Sequence, residues 1–338
     1  MESKLSSQSL RRIALLCMIA GGVCAICGMM AREVLGAGRL PAQVRTQTPD
    51  DPWPGKKKLL AIADPQEWYS SPGYHHDSAS HTLATIERLG RETGDWVTII
   101  RTDMRLLTKQ HIEGRNVRTL NDFDAIFYMG EGPWNITDQQ KADLLSFVHE
   151  DGKGFVAGHA GNGGHLLLWP GYAQMIGGNL VGEFPSASLP IIVEDPRFPG
   201  MSGFPREFSF KDQYTIVGPN YSRSSDDVIM RLDASKFPAV FARLQPEKDF
   251  GRPIDPERFR AIFTKLAALR TDGDFPIVWA RHYGKGRVWY STFGHLEETM
   301  DDPRIQQMYI GAIRWALGLK TADIRPHPLV AGASGSMQ

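Results

Sequence analysis

The stretch that most constrains the fold is GFVAGHAGNGGH at residues 154–165. Its first half is apolar, as a buried strand is, and the glycines after it permit the tight turn by which a strand enters a helix. Turns of this kind hold one side chain at the mouth of an α/β sheet, where a ligand can approach the backbone closely. The side chain in that position is His159. The segment therefore predicts an α/β fold with an imidazole where many α/β enzymes carry a nucleophile.

All three cysteines of the 338-residue chain lie in one apolar segment near the N-terminus, at Cys17, Cys24 and Cys27. The rest of the sequence therefore cannot form a disulfide bond, a Cys-His nucleophile or a cysteine-ligated zinc site. Because class I glutamine amidotransferases depend on a cysteine after the corresponding strand, glutamine amidotransfer is excluded.

The N-terminal segment has the pattern of an export signal or a membrane anchor. Arg11 and Arg12 precede an uncharged run from Ile13 to Met30. Its length lies between the ~7–15 apolar residues of a secretory signal and the ~20 of a spanning helix. We therefore expect an exported protein, periplasmic or membrane-anchored, that meets the membrane only through this segment. The predicted organisation is a signal or anchor at residues 1–35, a linker at 36–57, an α/β domain at 58–320 and a disordered tail at 321–338.

The balance of charge argues against nucleic acid as a partner. Lysine and arginine together number 38, as do aspartate and glutamate, and no basic cluster of note interrupts the domain. Since binding to nucleic acid depends on a concentration of positive charge, we expect a small-molecule ligand instead.

Short apolar runs alternate with amphipathic ones, which is typical of a mostly parallel sheet with helices on both faces. Apolar runs predict the first four strands at residues 59–63, 96–100, 125–129 and 155–158. A helix is predicted at 81–91, and Thr137-Asp138-Gln139-Gln140 predicts a capping box at the start of the next. Later strands are predicted at 191–194, 208–210, 228–232, 277–281 and 288–292, and a final helix is predicted from Pro303 to Leu317.

Candidate site residues fall in the loops that follow predicted strands. Ligands of open α/β sheets bind at the carboxyl ends of the strands, so these loops should face one crevice. They carry His75, His76, Glu131, His159 and His295. Histidines from separate loops, together with one or two carboxylates, form either an acid/base pair that works near neutral pH or an open metal site. The sequence has no H-E-x-x-H spacing, so a metal site would require distant loops to converge.

A set of segments in fixed order resembles the ThuA-like, or trehalose-utilisation, family. The segments are GFVAGHA at 154–160, WPGY at 169–172, IGG at 176–178, PIVW at 276–279, YGKGRVWY at 283–290, Gly294-His295 and IRWA at 313–316. The resemblance extends over essentially the whole globular part. It implies a flavodoxin-like sheet related to the class I glutamine amidotransferase fold without its catalytic cysteine. It also implies a role in sugar metabolism, with 3-keto-disaccharides or related glycosides as substrates.

Residue by residue, His159 matches the family's histidine after the fourth strand, and His295 matches its C-terminal Gly-His element. Tyr74-His75-His76-Asp77 resembles the family's loop after the first strand. Two positions depart from the family pattern. Glu183 stands where a histidine is common, and Asp212-Gln213-Tyr214 has one carboxylate fewer than the family's Asp-Glu-x-Tyr element.

These considerations give a defined set of expected roles. The expected catalytic residues are His159, His295 and Glu131. Substrate contacts are expected from His75, His76, Trp169, Tyr172, Glu183 and Asp212, of which the aromatic side chains could stack on a sugar ring. A divalent metal such as zinc would be held by His76, His159 and His295.

Two functions of different kinds fit this set. The first is an exported enzyme that hydrolyses or isomerises a glycoside or keto-sugar through histidines and a carboxylate, with or without a metal. The second is a non-catalytic carbohydrate-binding or scaffold domain at the cell envelope, whose histidines only hydrogen-bond sugar hydroxyls.

Overall fold

The computed structural model describes residues 51–64, 78–114, 116–130, 136–163, 169–218, 220–246 and 255–329. The chain divides into two units, Met1–Asp50 with Ile112–Val117 and Asp51–His111 with Arg118–Gln338, and the fold below is that of the second. The predicted signal or anchor lies outside the described residues. Among the helices that the structure describes, none is both long and apolar enough to cross a membrane.

The described part of this unit contains nine strands and seven α-helices. The strands are β1 Lys57–Asp64, β2 Trp96–Arg101, β3 Ala125–Gly130, β4 Gly154–Gly158, β5 Leu180–Val193, β6 Glu207–Val217, β7 Asp227–Leu232, β8 Pro276–Tyr283 and β9 Gly286–Ser291. The helices are α1 Ser78–Thr93, α2 Asp138–His149, α3 Pro170–Ile176, α4 Phe237–Phe241, α5 Pro256–Ala267, α6 Glu297–Asp301 and α7 Pro303–Ala316.

One half of the sheet is parallel. The strand order is β2-β1-β3-β4-β9-β8-β7-β5-β6, and every pairing from β2 to β9 is parallel. In the last of these pairings Gly158, at the end of β4, lies opposite Ser291, at the end of β9. The carboxyl ends of β4 and β9 therefore reach the same edge of the sheet side by side.

The other half is antiparallel, from β9 through β8, β7 and β5 to β6. The prediction of an α/β fold is confirmed, but the prediction of a mostly parallel sheet is not, since half of the pairings are antiparallel. The connection between β8 and β9 shows the physical reason. Only Gly284 and Lys285 join them, and two residues can return a strand antiparallel, whereas a parallel return needs a crossover of about a dozen residues or more.

Helices cover both faces of the parallel half. On one face the rings of Phe127 and Trp289 pack against Tyr309 of α7, with centroids 6.0 and 5.3 Å apart. On the other face Tyr128 packs against Tyr172 of α3, with centroids 6.5 Å apart. Successive residues of a strand point to opposite faces, which is why neighbouring residues of β3 meet different helices. Burial of each ring contributes about 1.5–3 kcal/mol relative to exposure, so both faces belong to the apolar core.

All nine predicted strands are present, although β5 and β6 are longer than their apolar runs. Gly182, Pro185 and Pro190 interrupt the apolar pattern of β5, and its pairing with β6 contains two irregularities in register. The predicted helix starts are confirmed at both capped positions. The Thr137 hydroxyl accepts from the Gln140 backbone N–H at 3.2 Å, and Asp302 accepts from the Arg304 N–H at 2.8 Å, directly before Pro303.

Candidate active site

The candidate site lies where β4 and β9 end. Because Gly158 and Ser291 are partners in the sheet, the residues that follow them, His159 and Thr292, leave the sheet next to each other. Two hydrogen bonds show the result. His159 Nδ1 lies 3.0 Å from the Thr292 carbonyl oxygen, and the Tyr290 hydroxyl donates to the His159 carbonyl at 2.7 Å.

His159 has an unusual backbone conformation. It is the first residue of a 3-10 turn, His159–Asn162, and its φ is +37°, in the left-handed region that residues other than glycine rarely occupy. Such a conformation costs of order 1–3 kcal/mol and recurs at functional sites, where the surrounding structure holds it in place. The side chain is 0 % exposed. The imidazole is therefore a buried group of the site and not a surface residue.

His295 meets His159 directly. Its Nδ1 lies 3.2 Å from His159 Nε2, and the two ring centroids are 5.0 Å apart at an interplanar angle of 62°. The residue before it, Gly294, has a φ of +125°, a conformation available at little cost only to glycine. This turn allows the chain after β9 to bring His295 back over His159, which explains why the site needs a Gly-His pair and not an isolated histidine.

The contacts assign the proton positions on both rings. A carbonyl oxygen can only accept, so His159 carries its proton on Nδ1 when neutral and has its lone pair on Nε2. His295 Nδ1 must then donate to that lone pair, and the lone pair of His295 is placed on Nε2. Burial lowers the pKa of His295 below its usual value of 6.5. The ring is consequently neutral, and able to accept a proton, at neutral pH.

Asp212 holds the segment around His295 in place. Its carboxylate accepts backbone N–H groups from Gly294 at 2.9 Å and Leu296 at 3.3 Å, one on each side of His295, and from Gln213 at 2.8 Å. The side chain is 0 % exposed. Burial raises its pKa from 3.8 to about 7, an effect that the hydrogen bonds from Gly294 and Gln213 partly oppose. Its expected role as a substrate contact stays a prediction; the contacts described here are with the protein backbone.

A network of hydroxyl groups connects β6 and β9 next to the two histidines. The Thr215 and Tyr290 hydroxyls lie 2.9 Å apart, and the Thr292 hydroxyl accepts from the Thr215 backbone N–H at 2.9 Å. Thr215 belongs to β6, at the far edge of the antiparallel half, so this half of the protein also contacts the site. Sequence reasoning missed these residues, because threonine and tyrosine within apolar strands are typical of ordinary strand packing.

The other predicted site residues are distributed unevenly. Tyr172 is 0 % exposed and donates to the Gly161 carbonyl at 2.7 Å, so it supports the turn after His159. Trp169 is half-buried, and its ring lies 5.3 Å from that of Tyr172. Glu183 of β5 pairs in register with Thr215. The remaining predicted residues, His75, His76 and Glu131, lie outside the described residues.

The histidine pair also has a spacing that a metal could use. Two nitrogens that bind one tetrahedral zinc ion at about 2.0–2.1 Å lie about 3.3 Å apart, close to the 3.2 Å between His159 Nε2 and His295 Nδ1. Within the part of the chain that the structure describes, no group of three histidine, cysteine, aspartate or glutamate side chains could hold a metal. A metal would therefore need a further ligand from outside that part, such as the predicted His76.

Comparison with known families decides the relationship. The model of the ThuA family, described as trehalose utilisation, matches residues 68–316. The chain belongs to the ThuA family. No curated protein sequence matches it.

Two crystal structures of ThuA-like proteins have the same fold as this ThuA family member. The protein from Bacteroides uniformis ATCC 8492 is 18% identical, with a TM-score of 0.56, and the match covers 80% of this chain and 95% of that one. The protein from Parabacteroides merdae ATCC 43184 is 13% identical, with a TM-score of 0.52, covering 79% of this chain and 92% of that one. The region that the family model matches contains β4, β9 and both site histidines.

Proposed function

We propose that this protein is an enzyme of sugar metabolism in which His295 is the general base and His159 orients it. The observation that supports the proposal is the continuous series of contacts from the Thr292 carbonyl through His159 to His295. A histidine base needs a second group that fixes its tautomer and orientation. In this site that second group is the buried imidazole of His159, which accepts from His295 and whose own tautomer is fixed by the Thr292 carbonyl.

The chemistry that suits this pair is proton abstraction next to a carbonyl group. Cleavage of a glycosidic bond by the usual route needs two carboxyl groups on either side of the bond. In the described part of the site, the titratable side chains at the strand ends are the two imidazoles. The carboxyl group nearby, that of Asp212, accepts backbone N–H groups with both of its oxygens, so the described residues do not supply such a pair of carboxyl groups. We therefore favour a 3-keto-glycoside over an unmodified glycoside as the substrate, in agreement with the sugar-related description of the family.

The proposed step begins at Nε2 of His295, which takes the proton from the carbon next to the carbonyl. The electron pair of that C–H bond forms an enolate. The enolate either takes that proton back from His295 on its oxygen, giving an enediol that rearranges to the isomeric ketone, or it expels the glycosidic oxygen from the adjacent carbon. In the second case the oxygen leaves with the proton held on His295, and a carbon–carbon double bond conjugated with the carbonyl remains. The positive charge gained by His295 is shared through Nδ1–H with His159 Nε2.

We further propose that the parallel half is a flavodoxin-like sheet. Its strand order, β2-β1-β3-β4-β9, corresponds to the 2-1-3-4-5 order of that fold when β9 is counted as the fifth parallel strand. Ligands of such sheets bind beyond the carboxyl ends of the strands. The histidine pair lies at the ends of β4 and β9, where such a ligand would bind.

We also propose that the protein is exported through residues 1–35, as the apolar N-terminal pattern predicts. A fusion of the full chain to a periplasmic reporter enzyme should be active, and deletion of residues 1–35 should abolish that activity. Reporter activity that survives the deletion would refute export by this segment.

The catalytic proposal is tested by hydrogen exchange in heavy water. Full-length protein is incubated with 3-keto-trehalose, and deuterium at the carbon next to the carbonyl is followed by NMR. We expect enzyme-dependent exchange that is lost in His295→Ala and retained in His282→Ala, since His282 lies on β8 outside the site. Exchange no faster than in buffer, with the sugar still bound, would favour the carbohydrate-binding alternative.

A metal assay distinguishes the acid/base pair from a metal centre. If the two imidazoles act alone, exchange persists in protein that elemental analysis shows to be free of zinc and other transition metals. Stoichiometric metal that is lost together with activity in His159→Ala would favour the metal site.

A further inference from the structure

Asn162 is a buried polar residue whose side chain has no bonding role in the described part of the fold. It is the last residue of the 3-10 turn that begins at His159, and it is 0 % exposed. Neither its Nδ2 nor its Oδ1 has a hydrogen-bond partner among the residues that the structure describes. Buried polar side chains nearly always have such partners, and leaving them unpaired costs folding free energy.

The rest of the same turn is well supported. The His159 carbonyl accepts from the Tyr290 hydroxyl at 2.7 Å, and the Gly161 carbonyl accepts from the Tyr172 hydroxyl at 2.7 Å. The Gly163 N–H returns to the Ala160 carbonyl at 2.8 Å. The amide of Asn162 is therefore a local exception within a well-bonded turn, which is the pattern expected of a group kept for a ligand and not for the fold.

Asn162 lies close to the histidine pair along the chain. It is three residues after His159 and ends the turn that His159 begins. This turn follows β4, whose last residue pairs with the last residue of β9. The Asn162 amide therefore lies near the carboxyl ends of β4 and β9, where the proposed substrate binds.

We propose that Asn162 is a substrate-binding residue that pairs with a hydroxyl group of the sugar. A side-chain amide offers N–H donors and a carbonyl acceptor. A hydroxyl group also donates and accepts, so it can satisfy both ends of the amide, whereas a carboxylate only accepts and an ammonium group only donates. The chemical class of the ligand is therefore a polyol. This inference deepens the proposed function and rests on it.

The first test measures stability without any sugar. Asn162→Leu keeps the branched shape of the side chain and replaces its two polar atoms by methyl groups, so we expect the midpoint of thermal unfolding to rise by about 2–4 °C. A lower midpoint would show that the amide is bonded within the folded protein, and it would overturn the inference.

The second test measures binding of trehalose to the full-length protein by calorimetry. We expect Asn162→Leu, and also Asn162→Asp, which replaces the NH₂ donor by a second, negatively charged acceptor, to weaken binding by about ten-fold or more. The matched control is Asn179→Leu. Asn179 is 2 % exposed and its Oδ1 also lacks a partner among the described residues, but it precedes β5, outside the turn, and its replacement should leave binding unchanged.

The outcomes separate this inference from the proposed function. If the wild-type protein binds trehalose and Asn162→Leu binds it equally well, the role of Asn162 is refuted while the His295 exchange assay still tests catalysis. If the wild-type protein neither binds trehalose nor exchanges deuterium with 3-keto-trehalose, the proposed function fails and the role of Asn162 fails with it.

Discussion

The polar cluster at the ends of the parallel strands and the Arg223 ion network of the antiparallel half use buried polar groups in opposite ways. At the carboxyl ends of the parallel strands, His159 and His295 lie in contact at a strained turn, and the Asn162 amide has no partner among the described residues. In the antiparallel half, Arg223 donates to Glu194 at 2.7 Å and to Asp274 at 2.8 Å, and those carboxylates are only 8 and 6 % exposed. The first arrangement groups imidazoles and an amide at the edge of the sheet where the proposed ligand binds, whereas the second pairs its charges within the protein.

Topology accounts for the difference. Parallel strands bring several chain segments to the same edge of a sheet, so short side chains from distant positions converge there. Antiparallel strands alternate in direction, and their loops are divided between two edges. We therefore expect substitutions in the parallel half to change chemistry more than stability, and substitutions in the antiparallel ion network to do the reverse.

The largest expected effect is on catalysis. Replacement of His295 by alanine removes the proposed base and should lower the rate of deuterium exchange into 3-keto-trehalose by about 10²–10⁴-fold. The midpoint of thermal unfolding should change little, because the side chain is only partly buried. An equal loss of exchange in His282→Ala would contradict the localisation of the chemistry to the ends of β4 and β9.

The next largest effect should be on stability alone. Arg223→Met leaves the buried carboxylates of Glu194 and Asp274 without their shared partner and should lower the free energy of unfolding by about 3–5 kcal/mol. Urea unfolding measures the loss, and exchange per folded molecule should stay at the wild-type rate. The control is Arg325→Met, whose ion pair with Asp323 is exposed and should contribute less than about 1 kcal/mol. A large loss of exchange in Arg223→Met would show that the two halves are not separable.

Asp212 provides a pH-dependent comparison within the site. Its pKa is raised to about 7 by burial, so between pH 4 and 7 the folded state holds a proton that the unfolded state has lost. The stability that this group contributes is fully present below about pH 4 and is lost progressively as the pH rises to about 7. Relative to Asp212→Asn, the wild-type free energy of unfolding should fall by up to about 1.4 kcal/mol per pH unit in this range. Parallel pH profiles for the two proteins would contradict the raised pKa.

The smallest effect is a shift in the titration of His295. Burial lowers the pKa of His295 below 6.5. Protonation of this ring should therefore reduce the exchange rate only at pH values below 6.5, and the rate should not fall between pH 7 and 6.5. Nitrogen-15 NMR of the imidazoles, with the signal assigned by its absence in His295→Ala, should give a midpoint below 6.5. A midpoint above that value would indicate a negatively charged neighbour and a different role for the ring.

Much of the fold follows from local sequence patterns. Nine apolar runs predict the nine strands, and the capping box at Thr137 and the proline start at Pro303 predict two helix ends, because these signals depend on neighbours in sequence. The antiparallel half does not follow from the same patterns, although the two-residue connection at Gly284 indicates it. The direction of a strand relative to its neighbour depends on the length and path of the connection between them, and the composition of the strand does not reveal this.

The site can be predicted from the sequence only in part. His159 and His295 each follow an apolar strand, and this position alone makes them candidates. The roles of Asp212 and Asn162 cannot be predicted in this way, because they depend on which backbone groups face a carboxylate and on which amide is left unbonded. Those facts come from the register of β4 with β9 and from the turn at Gly294, and both are long-range properties. The expected catalytic and metal-binding roles of the histidines stay predictions until the exchange and metal assays are done.

Strand β9 links the chemistry to both halves of the sheet. It is the one strand of the described sheet that pairs in parallel on one side, with β4, and antiparallel on the other, with β8. A shift of β9 by one residue would turn every one of its side chains to the opposite face. Trp289 and Tyr290 would exchange environments, and His295 would be displaced by one residue relative to His159. The register of β9 thus determines whether the second imidazole reaches the first.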